Sequence, residues 1–283
     1  MPRARSIIYA EPLSPARSDE MSARRQMDTL EGNMKTSVLA GLLNSELNVR
    51  AIGDDSLNGL QVSNSGEIRM VALAVDASAA AVQEAAARNA DMLIVHHWLF
   101  WGKSVPLTVA LYDRIRLLVQ SDMALYAAHL PLDLHARLGN NAVFGKMMGW
   151  PPGVDFGLYH GVSIGKAYRL RKALDVQTIA AQAGARLNVK AELWKFGKEK
   201  ISTVGVVSGR GLSLLDEAIQ KQFDLFVTGE ALHEHYWDAK EAGINVLFGG
   251  HYATETLGVR AVGDWLAHKH GLKAEFIDLP TGY

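Results

Sequence analysis

Short, continuous apolar runs punctuate this chain: MVALAV at 70–75, MLIV at 92–95, the strand-like ALYAAH from Ala124 to His129, LFV at 225–227 and NVLFGGH from Asn245 to His251. Runs of this length, bounded by small or polar residues, read as strands buried on both faces. Amphipathic stretches with helical spacing lie between them. Leu39, Leu42, Leu43 and Leu47 mark one helix, capped by Thr36 or Ser37, and helices are also predicted over Leu107–Gln120 and roughly Ala231–Ala242. Strand and helix alternate, which predicts an α/β fold with parallel-type layers and chemistry at the C-terminal strand ends.

The pattern occurs twice. Ile68–Asp91 (IRMVALAVDASAAAVQEAAARNAD) aligns without a gap on Ile201–Asp224 (ISTVGVVSGRGLSLLDEAIQKQFD), matching Glu84-Ala85 to Glu217-Ala218 and Asp91 to Asp224. Each unit runs strand, small-residue turn, helix, strand. The second strand leads into His96-His97 in one copy and Gly229-Glu230 in the other. A further strand in each copy then ends on a histidine, His129 or His251, with a carboxylate four residues on, Asp133 or Glu255. Two related α/β halves are therefore expected, with a site between them where the strand ends converge.

The expected division is 34–148 for the first half, 149–200 for an intervening segment and 201–283 for the second half, with 34–283 forming one compact unit. In the intervening segment Trp150-Pro151-Pro152-Gly153 signals a turn, Asp175–Ala183 a helix and Leu187–Glu192 a short strand. It holds no ligand cluster and is assigned to packing or assembly. Residues 1–33 combine five Arg with five acids and three Pro and lack apolar periodicity, which fits a disordered extension better than a targeting peptide.

Composition narrows the chemistry. The 283 residues carry 29 Lys+Arg against 30 Asp+Glu, a formal charge of −1, which gives no electrostatic basis for general nucleic-acid or anionic-membrane binding. With no cysteine, disulfide scaffolds, thiolate zinc sites, iron–sulfur clusters and thiol catalysis are excluded. No apolar run reaches the ~20 residues that span a bilayer, so a soluble, cytoplasmic protein is expected.

Any metal must then be held by imidazole and carboxylate. His96, His97, Asp133, His251 and Glu255 supply five such ligands, more than an ordinary three-ligand catalytic zinc takes. They suit two divalent ions sharing a carboxylate, with zinc, iron, manganese, cobalt and nickel all compatible. Such a site keeps a net positive charge and should attract an anionic small molecule. His129 mirrors His251 and is open to two roles, ligand or proton shuttle behind the ligands. Glu230, His233 and Arg210 are candidates for substrate contact. Against this, Glu230 and His233 also suit a helix start, and Gly209-Arg210-Gly211 suits either a backbone cradle for an anion or a tight turn.

Five stretches together resemble the Nif-three-like dinuclear metal centre family, whose bacterial members are often named GTP cyclohydrolase I type 2 homologues. They are DDSLNGLQV (Asp54–Val62), ADMLIVHHWLFW (Ala90–Trp101), HLPLDLHARLGNN (His129–Asn141), TGE (Thr228–Glu230) and GGHYATE (Gly249–Glu255). The resemblance spans about Met34 to Tyr283 and implies metal-ligand roles for His96, His97, Asp133, His251 and Glu255. It also implies a homohexameric ring enclosing the metal sites. The chain departs from the family in its N-terminal extension and in the HEHY run after TGE. The function expected is metal-dependent hydrolysis of a nucleotide or phosphorylated heterocycle. The alternatives are a non-catalytic metal-binding assembly and a two-metal phosphoesterase.

Overall fold

The computed structural model describes residues 33–100 and 105–283; the expectation for the N-terminal extension, Asn33 aside, falls outside them. Strands β1 (Met34–Lys35) and β3 (Glu67–Ile68) form a small ribbon. Strands β2 (Gly59–Val62), β4 (Met70–Asp76), β5 (Met92–His97), β6 (Ala124–Ala127) and β13 (Lys273–Phe276) build a five-stranded sheet in the order β13-β4-β5-β6-β2. A six-stranded sheet holds β7 (Val154–Tyr159), β8 (Val162–Asp175), β9 (Glu192–Trp194), β10 (Lys200–Val206), β11 (Leu225–Thr228) and β12 (Asn245–Phe248), in the order β7-β8-β10-β11-β12-β9. Each sheet has the expected parallel core, β4-β5-β6 in one and β10-β11-β12 in the other.

The helices are α1 (Thr36–Glu46), α2 (Ala79–Ala87), α3 (Val109–Gln120), α4 (Leu130–Leu134), α5 (Asn140–Met147), α6 (Val176–Leu187), α7 (Leu215–Gln220), α8 (Tyr236–Ala242) and α9 (His251–His270). They cover both faces of the sheets, and the strand period of two decides which side chain meets which helix. In β4, Val71, Leu73 and Val75 pack with Leu39 and Leu43 of α1 and Val259 and Val262 of α9. Ala72 and Ala74 face the other way, onto Val82 and Ala85 of α2 and Leu118 of α3. In β11, Leu225 and Val227 share a cluster with Ile179 of α6, whereas Phe226 packs with Leu215 of α7 and Ala239 of α8. Burying each large aliphatic side chain contributes about 1.5–3 kcal/mol.

The repeat extends to hydrogen bonds. Asp91 Oδ2 accepts from the N–H groups of Arg69 and Met70 at 2.8 and 2.9 Å. Asp224 Oδ2 accepts from Ser202 and Thr203 at 2.9 and 3.1 Å, the positions matched by the gap-free alignment. Each aspartate pins the start of the strand preceding it in its unit.

Several expectations differ from the structure in detail. The segment 149–200 contributes β7, β8 and β9 to the second sheet, because β8 pairs antiparallel with β10 and β9 with β12. Conversely β13, from the C-terminal end, pairs parallel with β4 and completes the first sheet. The short strand expected at Leu187–Glu192 sits later, at Glu192–Trp194, since α6 continues to Leu187 and Asn188 ends it at φ 56°. Asp175 is the cap of α6, accepting from Gln177 and Thr178 N–H. The cap expected of Thr36 or Ser37 does not form. Lys35 occupies that position without a side-chain bond, and the Thr36 hydroxyl is bonded to Asn64 instead. Among the described residues no helix is long and apolar enough to cross a membrane.

Candidate metal centre

Three chain segments leave the C-terminal ends of the parallel strands and meet between the sheets. Strand β5 ends on His96-His97, β6 runs through Ala128 and His129 into α4, and β12 runs through Gly249-Gly250 into α9. Gly250, at φ 84°, makes the turn that lets α9 begin at His251. His251 and Glu255 are then one helical turn apart on the same face, with Nε2 3.2 Å from Oε2. Helix α9 starts in the second sheet but packs on β4 in the first, so its first turn lies over the ends of β5 and β6.

Neighbouring strand residues ordinarily point to opposite faces, yet both β5 histidines reach Glu255. His96 Nε2 lies 3.6 Å from Oε1 and His97 Nε2 3.2 Å from Oε2. Each ring is held from a different side. His96 Nδ1 donates to the Ala128 carbonyl at 3.0 Å, beside β6, and His97 Nδ1 donates to Asp76 Oδ1 at 2.8 Å, at the end of β4. His129 Nδ1 is held by Asp54, at 3.1 and 3.2 Å from its two oxygens, and His251 Nδ1 lies 3.4 Å from Glu230 Oε2. With Nδ1 facing a carbonyl or carboxylate in all four rings, the neutral tautomer leaves the Nε2 lone pair for the cleft, as metal-ligating histidines require.

The carboxylates are fixed as well. Asp133 Oδ1 accepts from Asn140 Nδ2 at 2.7 Å and from the Ser208 hydroxyl at 3.1 Å, while Oδ2 lies 3.6 Å from His96 Nε2. The Asp54 side chain is almost wholly buried and accepts from the N–H groups of Ser56 and Leu130 and from Asn58 Nδ2, besides His129. These donors hold its pKa below the usual carboxylate value, although burial opposes them. Burial also disfavours a charge on His96, but Asp133 and Glu255 outweigh it and raise the imidazole to about 9. His251 is raised to about 9 against the same opposition, by Glu255 and Glu230. Glu255, fully enclosed, is held far below the carboxylate range because His96, His251 and His97 surround it.

Two triads of donors each bring their ligand atoms within 4.8 Å of one another: His96, His97 and His129, and His97, His251 and Glu255. His96 Nε2 and Glu255 Oε2 are buried with no hydrogen-bond partner. Buried polar atoms are rarely left so, and each carries a cost that a bound cation removes. The residues therefore fit a metal ion. His129 stands in a donor triad with the two β5 histidines, and Asp133 approaches the same cluster through His96.

The cluster opens into a cleft of about 780 Å³, lined from both sheets and by the β7–β8 hairpin. The hairpin tip places His160 at φ 47° on the cleft wall, a left-handed conformation uncommon for a residue with a side chain. Arg210 lines the cleft and Glu230 lies beside it, the Arg210 Nε being 3.7 Å from Glu230 Oε1. His233 is exposed and outside the lining, whereas His235 lines it. Both lie on one 3₁₀ turn, in which residues two apart face different directions. Gly209-Arg210-Gly211 is not a backbone cradle. The N–H groups of both glycines donate at 3.0 Å to threonine hydroxyls, Gly209 to Thr254 and Gly211 to Thr228. Beyond His97, Trp98 is buried against His129, with ring centroids 4.3 Å apart, and Phe100 packs on the α2–α3 cluster.

Asp54 and Asp76, which hold His129 and His97, were given no role in the site by sequence, although Asp54 opens the DDSLNGLQV stretch. Asp76 pairs in register with His97 across β4 and β5, a signal available once the strands are aligned. Asp54 is 75 residues from His129, and no spacing rule connects them.

Comparison with known proteins decides the family. The model for Duf34/NIF3 (NGG1p interacting factor 3) matches residues 34–281. This chain belongs to the NIF3 family. NIF3-family relatives named GTP cyclohydrolase 1 type 2 homolog include one from Archaeoglobus fulgidus, 44% identical over 248 residues that cover 88% of this chain and 99% of that protein. Another, from Deinococcus radiodurans, is 37% identical over 262 residues, covering 93% and 100%. Among solved structures, TTHA1606 from Thermus thermophilus superposes with a TM-score of 0.81 at 38% identity, over 88% of this chain and all of that one.

Proposed function

We propose that the cleft is a dinuclear metal centre and that the protein is a metal-dependent hydrolase of a nucleotide or phosphorylated heterocycle. The observation that carries this reading is the position of Glu255, whose oxygens lie 3.2–3.6 Å from three imidazole nitrogens belonging to two overlapping donor triads. A carboxylate so placed suits two cations, with His96, His97, His129, His251 and Asp133 as the remaining ligands. When bound, two divalent ions activate water and polarise a substrate oxygen. The chain's own contribution is orientation: Asp76, Asp54, Glu230 and the Ala128 carbonyl keep four Nε2 atoms on the cleft, and Asn140 and Ser208 hold Asp133. Trp98 beside His129 keeps that side of the cluster apolar.

The names of the relatives support a purine nucleotide as substrate, with a ring carbon as the point of attack. The family description, NGG1p interacting factor 3, names an interaction rather than a reaction, and it favours a metal-binding assembly as the second reading. Elemental analysis of the purified protein, followed by product identification with GTP, separates these. About two ions per chain with formate release supports the hydrolase, and inorganic phosphate release supports a phosphoesterase. Two ions without turnover favours the assembly. One ion or none after remetallation refutes the dinuclear centre.

A further inference from the structure

Between β10 and α7 the chain turns through Gly209-Arg210-Gly211, where Arg210 alone carries a side chain. Gly209 has φ 61°, and a Cβ there would stand 2.1 Å from Glu255 Oε1. A Cβ on Gly211 would stand 2.4 Å from Val207 Cγ1 and 2.9 Å from the Thr228 hydroxyl. Both glycines are thus forced, and with their N–H groups bonded to Thr254 and Thr228 the backbone offers little to a ligand. Arg210 stands at the apex with its side chain 67% exposed and lining the cleft.

Among the described cleft-lining residues it is the one permanent cation; the others that can carry positive charge are histidines. Its contact with Glu230 runs from Nε to Oε1 at 3.7 Å, a distance at which an exposed pair is worth little. Among the described residues the terminal nitrogens have no partner. Glu230 is itself divided, its other oxygen serving His251. The guanidinium therefore lies beside the metal donors with its Nε edge toward Glu230 and its outer fork uncommitted.

A planar fork of this kind matches phosphate oxygens two at a time. Resting on the reading of the cleft as a nucleotide-hydrolysing metal centre, we propose that Arg210 is the residue that selects a phosphorylated substrate. It holds the phosphate through its side chain, beside Glu230 and His251. The rigid Gly-Arg-Gly turn sets the position of the guanidinium relative to Glu255, because Gly209 is packed against that carboxylate.

The test uses metal-loaded full-length protein, with GMP and guanosine as probes in titration calorimetry. Wild-type protein should bind GMP more tightly than guanosine. Arg210→Gln should weaken GMP by about tenfold or more while leaving guanosine affinity and metal content unchanged. Arg210→Lys, which keeps charge but loses the fork, should fall between them. GMP affinity unaffected by Arg210→Gln would mean that the metal ions alone hold the phosphate, and the proposal fails. It fails equally if wild-type protein binds the two probes alike or binds neither. Two ions per chain with turnover intact would confine that failure to Arg210, whereas wild-type protein without metal would remove the hydrolase reading itself.

Discussion

Gly209→Ala offers a direct test of whether Glu255 is a metal ligand, because the substitution touches the carboxylate without removing it. The backbone there has φ 61°, where a Cβ costs about 1–2 kcal/mol. The new Cβ would stand 2.1 Å from Glu255 Oε1 and 3.2 Å from His251 Nε2, and real Cβ contacts essentially never fall below 3.0 Å, so the carboxylate and the turn must separate by about 0.9 Å. Metal–ligand distances hold to within about 0.2 Å, so a displacement several times larger should abolish productive ligation. Gly271 provides the matched control. It ends the same helix at φ 66° with nothing within 4 Å of an added Cβ. In metal-free protein both variants should lower the melting temperature by about 2–8 °C, the backbone cost spread over a chain of this size. In metal-loaded protein only Gly209→Ala should lose affinity, by about 100-fold or more in a competition titration against a chelator. Wild-type metal affinity in Gly209→Ala would refute the assignment of Glu255. Equal loss in both variants would trace the effect to α9 as a whole.

Further outcomes follow from the charge arrangement and the repeat. In metal-free protein, stability owed to Glu255 and Asp54 is present above the usual carboxylate pKa and lost as pH falls below it. That owed to His96 and His251 is full below pH 6.5 and lost as pH rises through about 9. A melting temperature in chelator that stays flat from pH 6.5 to 9 would contradict this, and metal affinity should rise over the same interval as the imidazoles lose their protons. Asp54→Asn, which withdraws the charge behind His129, should weaken metal binding by about 10–100-fold with little change in the metal-free fold; unchanged affinity would remove His129 from the ligand set. Asp91→Ala and Asp224→Ala each free two strand N–H groups and should cost a similar amount, about 1–3 kcal/mol by urea unfolding. If one of the two costs nothing, their equivalence fails. On α3 only Leu118 is buried, while Val109, Tyr112 and Val119 are 81%, 54% and 66% exposed, a surface that suits the expected homohexamer. Sedimentation should give a hexamer that Tyr112→Asp dissociates; a wild-type monomer would refute it.

The legible parts of this protein were those written locally. Continuous apolar runs located β4, β5, β6, β11 and β12 because parallel strands buried on both faces need no polar alternation. The H-x₃-D/E step marked both histidine–carboxylate pairs because strand end and first helical turn are adjacent in the chain. Contacts made at long range were hidden. Asp54 reaches His129 only through the packing of a loop, and β13 finds β4 across most of the chain. His233 and His235 could not be told apart by composition, since a 3₁₀ turn rather than an α-helix sets their directions. The backbone cradle suggested by Gly-Arg-Gly fell to two threonine hydroxyls that lie 17 and 45 residues away from the glycines they occupy.

Helix α9 and strand β13 also dictate when the metal centre can be complete. The first half alone supplies His96, His97 and His129, together with Asp76, Asp54 and the Ala128 carbonyl that hold them. Glu255, the carboxylate proposed to be shared, arrives only on a helix that leaves the second sheet and is then secured by β13 pairing beside β4. Closing that connection brings together residues about 200 positions apart, a slow, entropically expensive step in any folding sequence. A nascent or half-unfolded chain therefore offers a cation the three imidazoles of His96, His97 and His129 without Glu255. In the proposed dinuclear centre, uptake of the second ion would require the pairing of β13 with β4, so full metal loading would report that this long-range connection has formed.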